Sequence, residues 1–522
     1  MTAVPKRVAE MSVPISQATA SADRCRLTAI ALQKQGRIDQ AIHLYLRGLA
    51  LNPSDASAYR CLGTAYKTRK QLDLAAACFR RAVELCPAFP EAWNNLGNTL
   101  TEQRDDAGAA ACFERAFTVQ PHFAGAHFNL AQTLGRLGQF DEAIAACRRA
   151  TDLSPRSAEF CTGLGMALYD ARRVEEAVAA YDQAVRLRPD FAPARYNRSH
   201  AWLVLGDYAR GWPEYEWRWK LANVPLPSFP QPRWDGTSRP DGRILLDAEQ
   251  GLGDTIQFVR YAPLVKERVG TVVLRCQKPL VRLLSVTPGI DQVISQDEPI
   301  GRFDVWSPLM SLPLFFSAAL EAIPNRVPYL GEDPSLVRFW HERLEGIGGL
   351  RIGINWQGNP AFPKDRFRSV PLRYFEPLAK IPGVRLISLQ KGAGREQLEN
   401  HRATLPVLDL GLSMDEIHGP FVDTAAILRC LDLVITSDTS LAHLAGALGV
   451  ETWLAVPSVP EWRWLLGRRD SPWYPTLRLF RQDRPGQWAD VFLRMGAELR
   501  QRLAGRKPNT GGSPQSFPSP PR

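Results

Sequence analysis

Three stretches in the second half of this 522-residue chain place reactive side chains beside glycines or at the ends of apolar runs. The apolar run Ile244–Asp247 leads into Glu249-Gln250-Gly251-Leu252-Gly253-Asp254 and then Thr255-Ile256-Gln257-Phe258. Gly251 and Gly253 allow a ligand to approach the backbone closely, and Asp254 stands at a helix start. There it caps the helix, faces a cleft as a carboxylate, or does both. A second stretch, Asn355-Trp356-Gln357-Gly358-Asn359, runs into Lys364-Asp365-Arg366-Phe367-Arg368-Ser369. The guanidinium groups of Arg366 and Arg368 match diphosphate oxygens in a planar fork, and a solvated basic loop is the plainer alternative. In the third, Ser437-Asp438-Thr439-Ser440 forms a hydroxyl-rich turn ahead of Leu441-Ala442-His443, where free amides and the helix dipole favour a phosphate. His443, one turn into an apolar helix, reads equally well as a core histidine.

The elements that must hold these stretches are short apolar runs alternating with amphipathic segments. Ile244-Leu245-Leu246, Val272-Val273-Leu274, Ile352-Gly353-Ile354, Leu386-Ile387-Ser388 and Leu433-Val434-Ile435 predict a parallel α/β architecture. Glycines and prolines near 330–350 divide the run into two Rossmann-like halves, expected over 241–335 and 336–500, with ligands at the strand carboxyl ends. Ahead of them, 221–240 is rich in Pro, Gly and Ser and reads as a linker. Residues 501–522 read as a disordered tail and 1–21 as a flexible N-terminus.

Between these lies a repeat. Pro53, Pro87, Pro121, Pro155 and Pro189 recur at a constant 34-residue step, the tetratricopeptide period. In that register Leu62 and Gly63, Leu96 and Gly97, and Leu164 and Gly165 fall on the first helix of each repeat. Ala75, Ala109, Ala143 and Ala177 fall on the second. Phe79, Phe113 and Tyr181 are expected to fill the space between repeats. An all-α superhelix over 22–220 follows, of five repeats and a divergent sixth, with a concave groove that holds a polypeptide. Asn95, Asn98 and Asn129 on the first helices can clamp an extended peptide backbone or merely solvate the helix. The aromatic run Trp212–Trp219 reads as a packing junction.

Composition narrows the class. With 45% hydrophobic and 23% charged residues and a most apolar stretch, Leu309–Leu320, broken by Ser311 and Pro313, no membrane span is expected. No secretory signal is read at the N-terminus, which points to the cytoplasm. Nine cysteines without C-x-x-C spacing argue for reduced core thiols. The formal charge of +10 is interleaved with acids, so acidic substrates fit it as well as nucleic acid does, and no nucleic acid is expected.

Taken in order, the Gly-Leu-Gly-Asp turn, the Arg-x-Arg-Ser-x-Pro loop ending at Pro371, Ser388-Leu389-Gln390-Lys391-Gly392 and Ser437–His443 resemble glycosyltransferase family 9, the lipopolysaccharide heptosyltransferases. The likeness covers about residues 240–490. The fusion to repeats also resembles O-GlcNAc protein transferases and the bacterial transferases that glycosylate flagellin. The resemblance implies a GT-B fold with the nucleotide-sugar held mainly by the second half. It makes Asp254 the proposed base and places Arg368 where the family has Lys. It assigns diphosphate binding to Asp438, Thr439 and Ser440, with Ser437 and His443 close by. Gln390 and Lys391 then contact ribose or base. No D-x-D occurs, so no metal and no cofactor are expected, the nucleotide-sugar being substrate.

The expected function is transfer of a sugar onto a protein hydroxyl, with the repeats selecting the acceptor, flagellin or another cell-surface protein by the resemblance. A repeat scaffold with a nucleotide-sensing or non-catalytic second half is the alternative. Transfer to a glycan or lipid is a third.

Overall fold

The computed structural model describes residues 15–505 except 223, 225, 412 and 413. The flexible start expected over 1–21 lies outside the described residues as far as 14, and the chain is already helical from Ile15. Of the tail expected over 501–522, residues to 505 continue the helix Trp488–Gly505, and the rest lies outside. The chain divides into two compact units between Ala194 and Arg195.

The first unit is helical throughout. Its antiparallel pairs are Ile15–Lys34 with Ile38–Leu51, Ala56–Thr68 with Leu72–Leu85, Pro90–Glu102 with Asp106–Val119, Ala124–Leu137 with Phe140–Leu153, and Ala158–Asp170 with Val174–Leu187. Each periodic proline stands two residues past the last residue of a second helix, where a missing N–H costs nothing and the helix cannot continue. Asp55, Asp105 and Ser157 cap the first turns of three of the helices.

A Cβ on Gly63, Gly97 or Gly165 would fall 2.8, 2.6 or 2.4 Å from the ring of Phe79, Phe113 or Tyr181. Each ring therefore crosses the first helix of its own pair instead of lying only between repeats. Phe113 is 1% exposed, and Phe113→Ala should destabilise this unit by about 3–5 kcal/mol. Hydrogen exchange should show the loss of protection centred on Pro90–Val119.

The helices Ala192–Val204 and Tyr208–Tyr215 continue the helix-pair pattern, yet from Arg195 they belong to the second unit. The expected boundary at 220 is thus displaced, for a packing reason. Trp212 lies 5.3 Å from Trp462 and 6.1 Å from Phe258, ring to ring. Arg218 donates to Glu249 Oε1 at 2.9 Å and to Ser311 Oγ at 2.8 Å. Nor is 221–240 a free linker: Trp234 is buried and its N–H reaches the carbonyl of Trp306 at 2.7 Å.

Two parallel sheets follow. β1 (Arg239–Asp247), β2 (Val269–Cys276), β3 (Gln292–Ser295) and β4 (Val305–Pro308) take the order β3-β2-β1-β4. β5 (Leu350–Asn355), β6 (Val384–Ser388), β7 (Val407–Asp409), β8 (Leu433–Ser437), β9 (Thr452–Val456) and β10 (Leu477–Arg481) take the order β10-β9-β8-β5-β6-β7. All neighbours run parallel. The second order is that of a doubly wound dinucleotide-binding sheet, with its switch point between β5 and β8. The helix Pro334–Leu344 joins the second sheet, Trp340 Nε1 donating to Asp423 Oδ1 at 2.9 Å. Ile352, Ile354, Trp453 and Phe480 form the core there with Val491, Met495 and Leu499 of the last helix. Among the described residues, no helix is long and apolar enough to cross a membrane.

Candidate active site at the carboxyl ends of two sheets

The chain leaves β1, turns at Gly251 and enters the helix Leu252–Phe258. Asp254 Oδ2 accepts the Gly251 N–H at 2.9 Å, so the cap role is real. Its other oxygen, Oδ1, accepts from Arg463 Nη2, and the two side chains form an ion pair. Of the two roles read for Asp254 the structure shows the cap, and the second oxygen is taken by Arg463.

Arg463 is fully engaged. Nε donates to Gln257 Oε1 at 2.7 Å, Nη1 to Glu461, and the guanidinium lies 4.1 Å from the Trp462 ring centre. Glu461 also accepts the backbone N–H of Arg463 at 2.7 Å. Burial pushes the Glu461 carboxyl up to about 7, although Arg463 opposes the shift. Burial likewise raises Asp438 against the pull of Arg368 and Arg463. The Arg463 guanidinium is disfavoured by burial, but Glu461 and Asp254 more than compensate and hold it charged.

Gly253 brings the two sheets together. A Cβ there would lie 2.8 Å from His443 Cδ2 and 3.4 Å from Ser440 Cα, so this helix rests directly on the first turn of the helix Ser440–Ala447. His443 cannot easily retreat: it is buried, stacked on Trp464 at 5.5 Å, and its Nδ1 lies 2.9 Å from the Tyr474 hydroxyl. Burial pushes it well below the ordinary histidine range, with Arg463, Arg260 and Arg368 acting in the same sense. It is a neutral core histidine at the edge of the site. Gly253→Ala should therefore force the two helix starts apart and lower the thermal midpoint by several degrees, measurable by calorimetry.

At the switch point, Asn355 ends β5 and pairs in register with Thr436 of β8. Asn355 Oδ1 accepts from Thr436 at 3.2 Å and from Thr439 at 3.0 Å, while its Nδ2 donates to Gln390 Oε1 at 2.8 Å. Thr439 thus turns its hydroxyl towards Asn355, and no side chain caps the first turn of Ser440–Ala447. Ser440 is half-buried on that turn. Ser437 is fully buried, its hydroxyl without a protein partner, and does not line an open surface.

One expectation is corrected here. Gln390 Oε1 also accepts the N–H groups of Trp356 and Gln357, each at 3.0 Å, and its Nε2 donates to the carbonyls of Gln357 and Ala393 at 2.9 and 2.8 Å. A buried amide so occupied ties loops together and has no donor left for a ribose or base. Lys391 donates to the Met414 carbonyl and, at 2.9 Å, to Glu416. Of the basic loop, Arg368 is half-buried over Phe362 at 4.6 Å with Nε on Asp365 at 3.0 Å, and its charge bears on Asp438. Arg366 is exposed and lies over the adjacent Phe367 ring.

The stretch Glu461-Trp462-Arg463-Trp464 reads in the sequence as shaping the cleft or, more plainly, as packing, and gives Arg463 and Glu461 no individual role. Trp462, Trp464, Trp473 and Tyr474 are indeed buried, and the charged residue between the first two reaches Asp254. Sequence reasoning passes over Tyr196 and His200, and Tyr215 falls in the run read as a junction. The Tyr215 hydroxyl accepts from Gln250 at 2.8 Å, and the rings of Tyr196 and His200 lie 5.7 and 5.5 Å from that of Tyr215. Burial lowers His200 to about 4, and the Arg463 charge adds to the effect.

In the first unit, Asn129 Nδ2 donates to Asn94 Oδ1 at 2.9 Å, linking consecutive repeats. Part of the expected clamp is therefore an internal ladder. Asn95 and Asn98 are half-buried on the same helix as Asn94.

The comparisons agree with the repeat. Residues 26–92, 62–116 and 94–158 match one family model described as tetratricopeptide repeat, and 135–203 match a second of the same description. Protein FlbA of Caulobacter vibrioides is 28% identical over 339 residues, covering 60% of this chain and 55% of FlbA. The chain spans about half the length of the curated relative it matches. Among solved structures, YrrB, described as a TPR protein with an unusual peptide-binding site, is 22% identical. It covers 35% of this chain and 96% of its own at a TM-score of 0.31. PilF of Pseudomonas aeruginosa is 19% identical, covering 40% and 94% at a TM-score of 0.36.

Proposed function

We propose that the chain is a GT-B glycosyltransferase that moves a sugar from a nucleotide-sugar to a hydroxyl of a protein selected by the repeats. The observation that carries this reading is the contact of Gly253 with Ser440 and His443. It sets the helix that carries Asp254 against the first turn of Ser440–Ala447, which no side chain caps, at the switch point of a doubly wound sheet. A base and an anion site are the two parts that sugar transfer needs side by side. The acceptor oxygen attacks the anomeric carbon as its proton passes to Asp254. The bond from that carbon to the phosphate oxygen breaks, and the nucleoside diphosphate leaves with the electron pair. Arg368 and the amides at Thr439 and Ser440 stabilise the charge that develops. No step calls for a metal ion.

The repeats concentrate the acceptor protein near this chemistry without contributing reacting groups. A protein acceptor, rather than a glycan or lipid, is favoured by the tetratricopeptide match. The engagement of both Asp254 oxygens favours a second reading, in which the second unit senses a nucleotide and the chain is a scaffold. Intact-mass spectrometry of co-purifying proteins, from cells with and without the gene, separates the two. A discrete sugar-sized mass increment supports transfer. Unchanged masses on every partner leave the scaffold.

A further inference from the structure

We infer that Arg463 masks Asp254 and exchanges it for the diphosphate of an arriving donor, so that the base is released only when the donor is in place. The inference rests on the transfer reading above and concerns a residue which that mechanism does not use. Of the polar contacts of Arg463, one partner is local and two lie on the helix Leu252–Phe258. Glu461, two residues away, holds it through both the backbone N–H and Nη1, and Gln257 holds Nε. Nε to Gln257 and Nη2 to Asp254 both cross from the second sheet's loop to the first sheet's helix, and of these two partners Asp254 carries the charge. Glu461 and Gln257 therefore hold Nη1 and Nε, and Nη2 is left to a charged partner that a stronger anion can replace.

The anion site is within its field. Gly253 lies in contact with Ser440, and Arg463 is one of the two arginines whose charge bears on Asp438 in the same turn. A diphosphate carries more charge than a carboxylate and offers several oxygens to a planar fork. An anion seated on Thr439 and Ser440 thus competes for Nη2 while Glu461 and Gln257 keep the rest of the guanidinium in place. Asp254 retains its Gly251 contact and gains a free oxygen facing the acceptor. The same step adds a cation to the leaving group. Arg463 is in this sense both a mask on the base and a ligand of the diphosphate.

The test is calorimetric titration of the full chain with ADP, UDP, GDP and CDP. In the wild type, part of the binding energy goes into breaking the Asp254 pair. Asp254→Asn keeps an oxygen for the Gly251 N–H and removes the competing charge, so the best nucleoside diphosphate should bind at least about threefold more tightly. Arg463→Gln should weaken it at least about tenfold, and Arg463→Lys, a point charge without the fork, should fall between. Circular dichroism melts check that each variant is folded. If the wild type binds and Asp254→Asn binds no better, the exchange is wrong although the transfer reading stands. If no nucleoside diphosphate binds the wild type, the transfer reading fails and the inference fails with it.

Discussion

Replacing Asp254 by Asn is expected to slow sugar transfer about 100- to 10,000-fold, the usual contribution of a general base, while leaving the fold intact. The two parts of this expectation come from different oxygens. The amide keeps an acceptor for the Gly251 N–H, so the start of the helix Leu252–Phe258 is preserved. It cannot take a proton from the acceptor hydroxyl, so only the chemistry is lost. Arg463 loses one partner and keeps Glu461 and Gln257, which leaves no buried cation without a counter-charge. The measurement is the single-turnover rate of nucleoside diphosphate release in the presence of acceptor, beside a thermal melt. Release at the wild-type rate would remove Asp254 from the mechanism.

The second large effect concerns where the repeats can be cut. Removing residues 15–190 should leave a second unit that folds and binds a nucleoside diphosphate but no longer modifies its protein acceptor. Removing 15–220 should leave no folded unit at all. The thirty intervening residues include Tyr208, Trp212, Tyr215 and Arg218, all of them buried in the second unit at 2% exposure or less. Losing one large buried aromatic costs about 3–5 kcal/mol, and three together reach the whole stability of an ordinary domain. Arg218 would moreover leave Glu249, whose carboxyl burial already pushes up to about 7, without its counter-charge. Soluble expression and a cooperative melt distinguish the two truncations. A stable 221–522 fragment would show that the last helix pair is merely carried along.

The helical half was legible because its signal is local and periodic. A proline every 34 residues marks the end of each second helix without reference to any distant contact. The parallel sheets were legible through five apolar runs, on β1, β2, β5, β6 and β8, since strands covered on both faces read as continuous hydrophobic segments. The remaining strands are three to five residues long, and β3 and β7 are only partly buried, so they carry too little pattern to stand out. The domain boundary was misplaced because Pro, Gly and Ser around 225–240 record a change of local structure. The buried ring of Trp212 records something else, which is where the packing continues.

At the site, Asp254 and the Asp438–Ser440 turn were visible as strand-end motifs. Their most important neighbour was not. Arg463 lies 209 residues from Asp254 along the chain, and nothing in the local sequence distinguishes it from an arginine that merely covers the ring of Trp462. Gln390 was misjudged for the opposite reason. Its position at the end of β6 is as expected, but six short contacts that the sequence does not display have already claimed its amide.

Those contacts have a thermodynamic consequence. Through Gln390 and Asn355, the ends of β5, β6 and β8 and the hydroxyl of Thr439 form one continuous hydrogen-bonded frame before any ligand arrives. Freezing a mobile side chain on binding costs about 0.5–1.5 kcal/mol, and a cradle that is rigid in advance avoids that cost at each of these positions. For the proposed anion, affinity would be set by preorganisation rather than by the number of contacts, with Arg463 the element proposed to change partners.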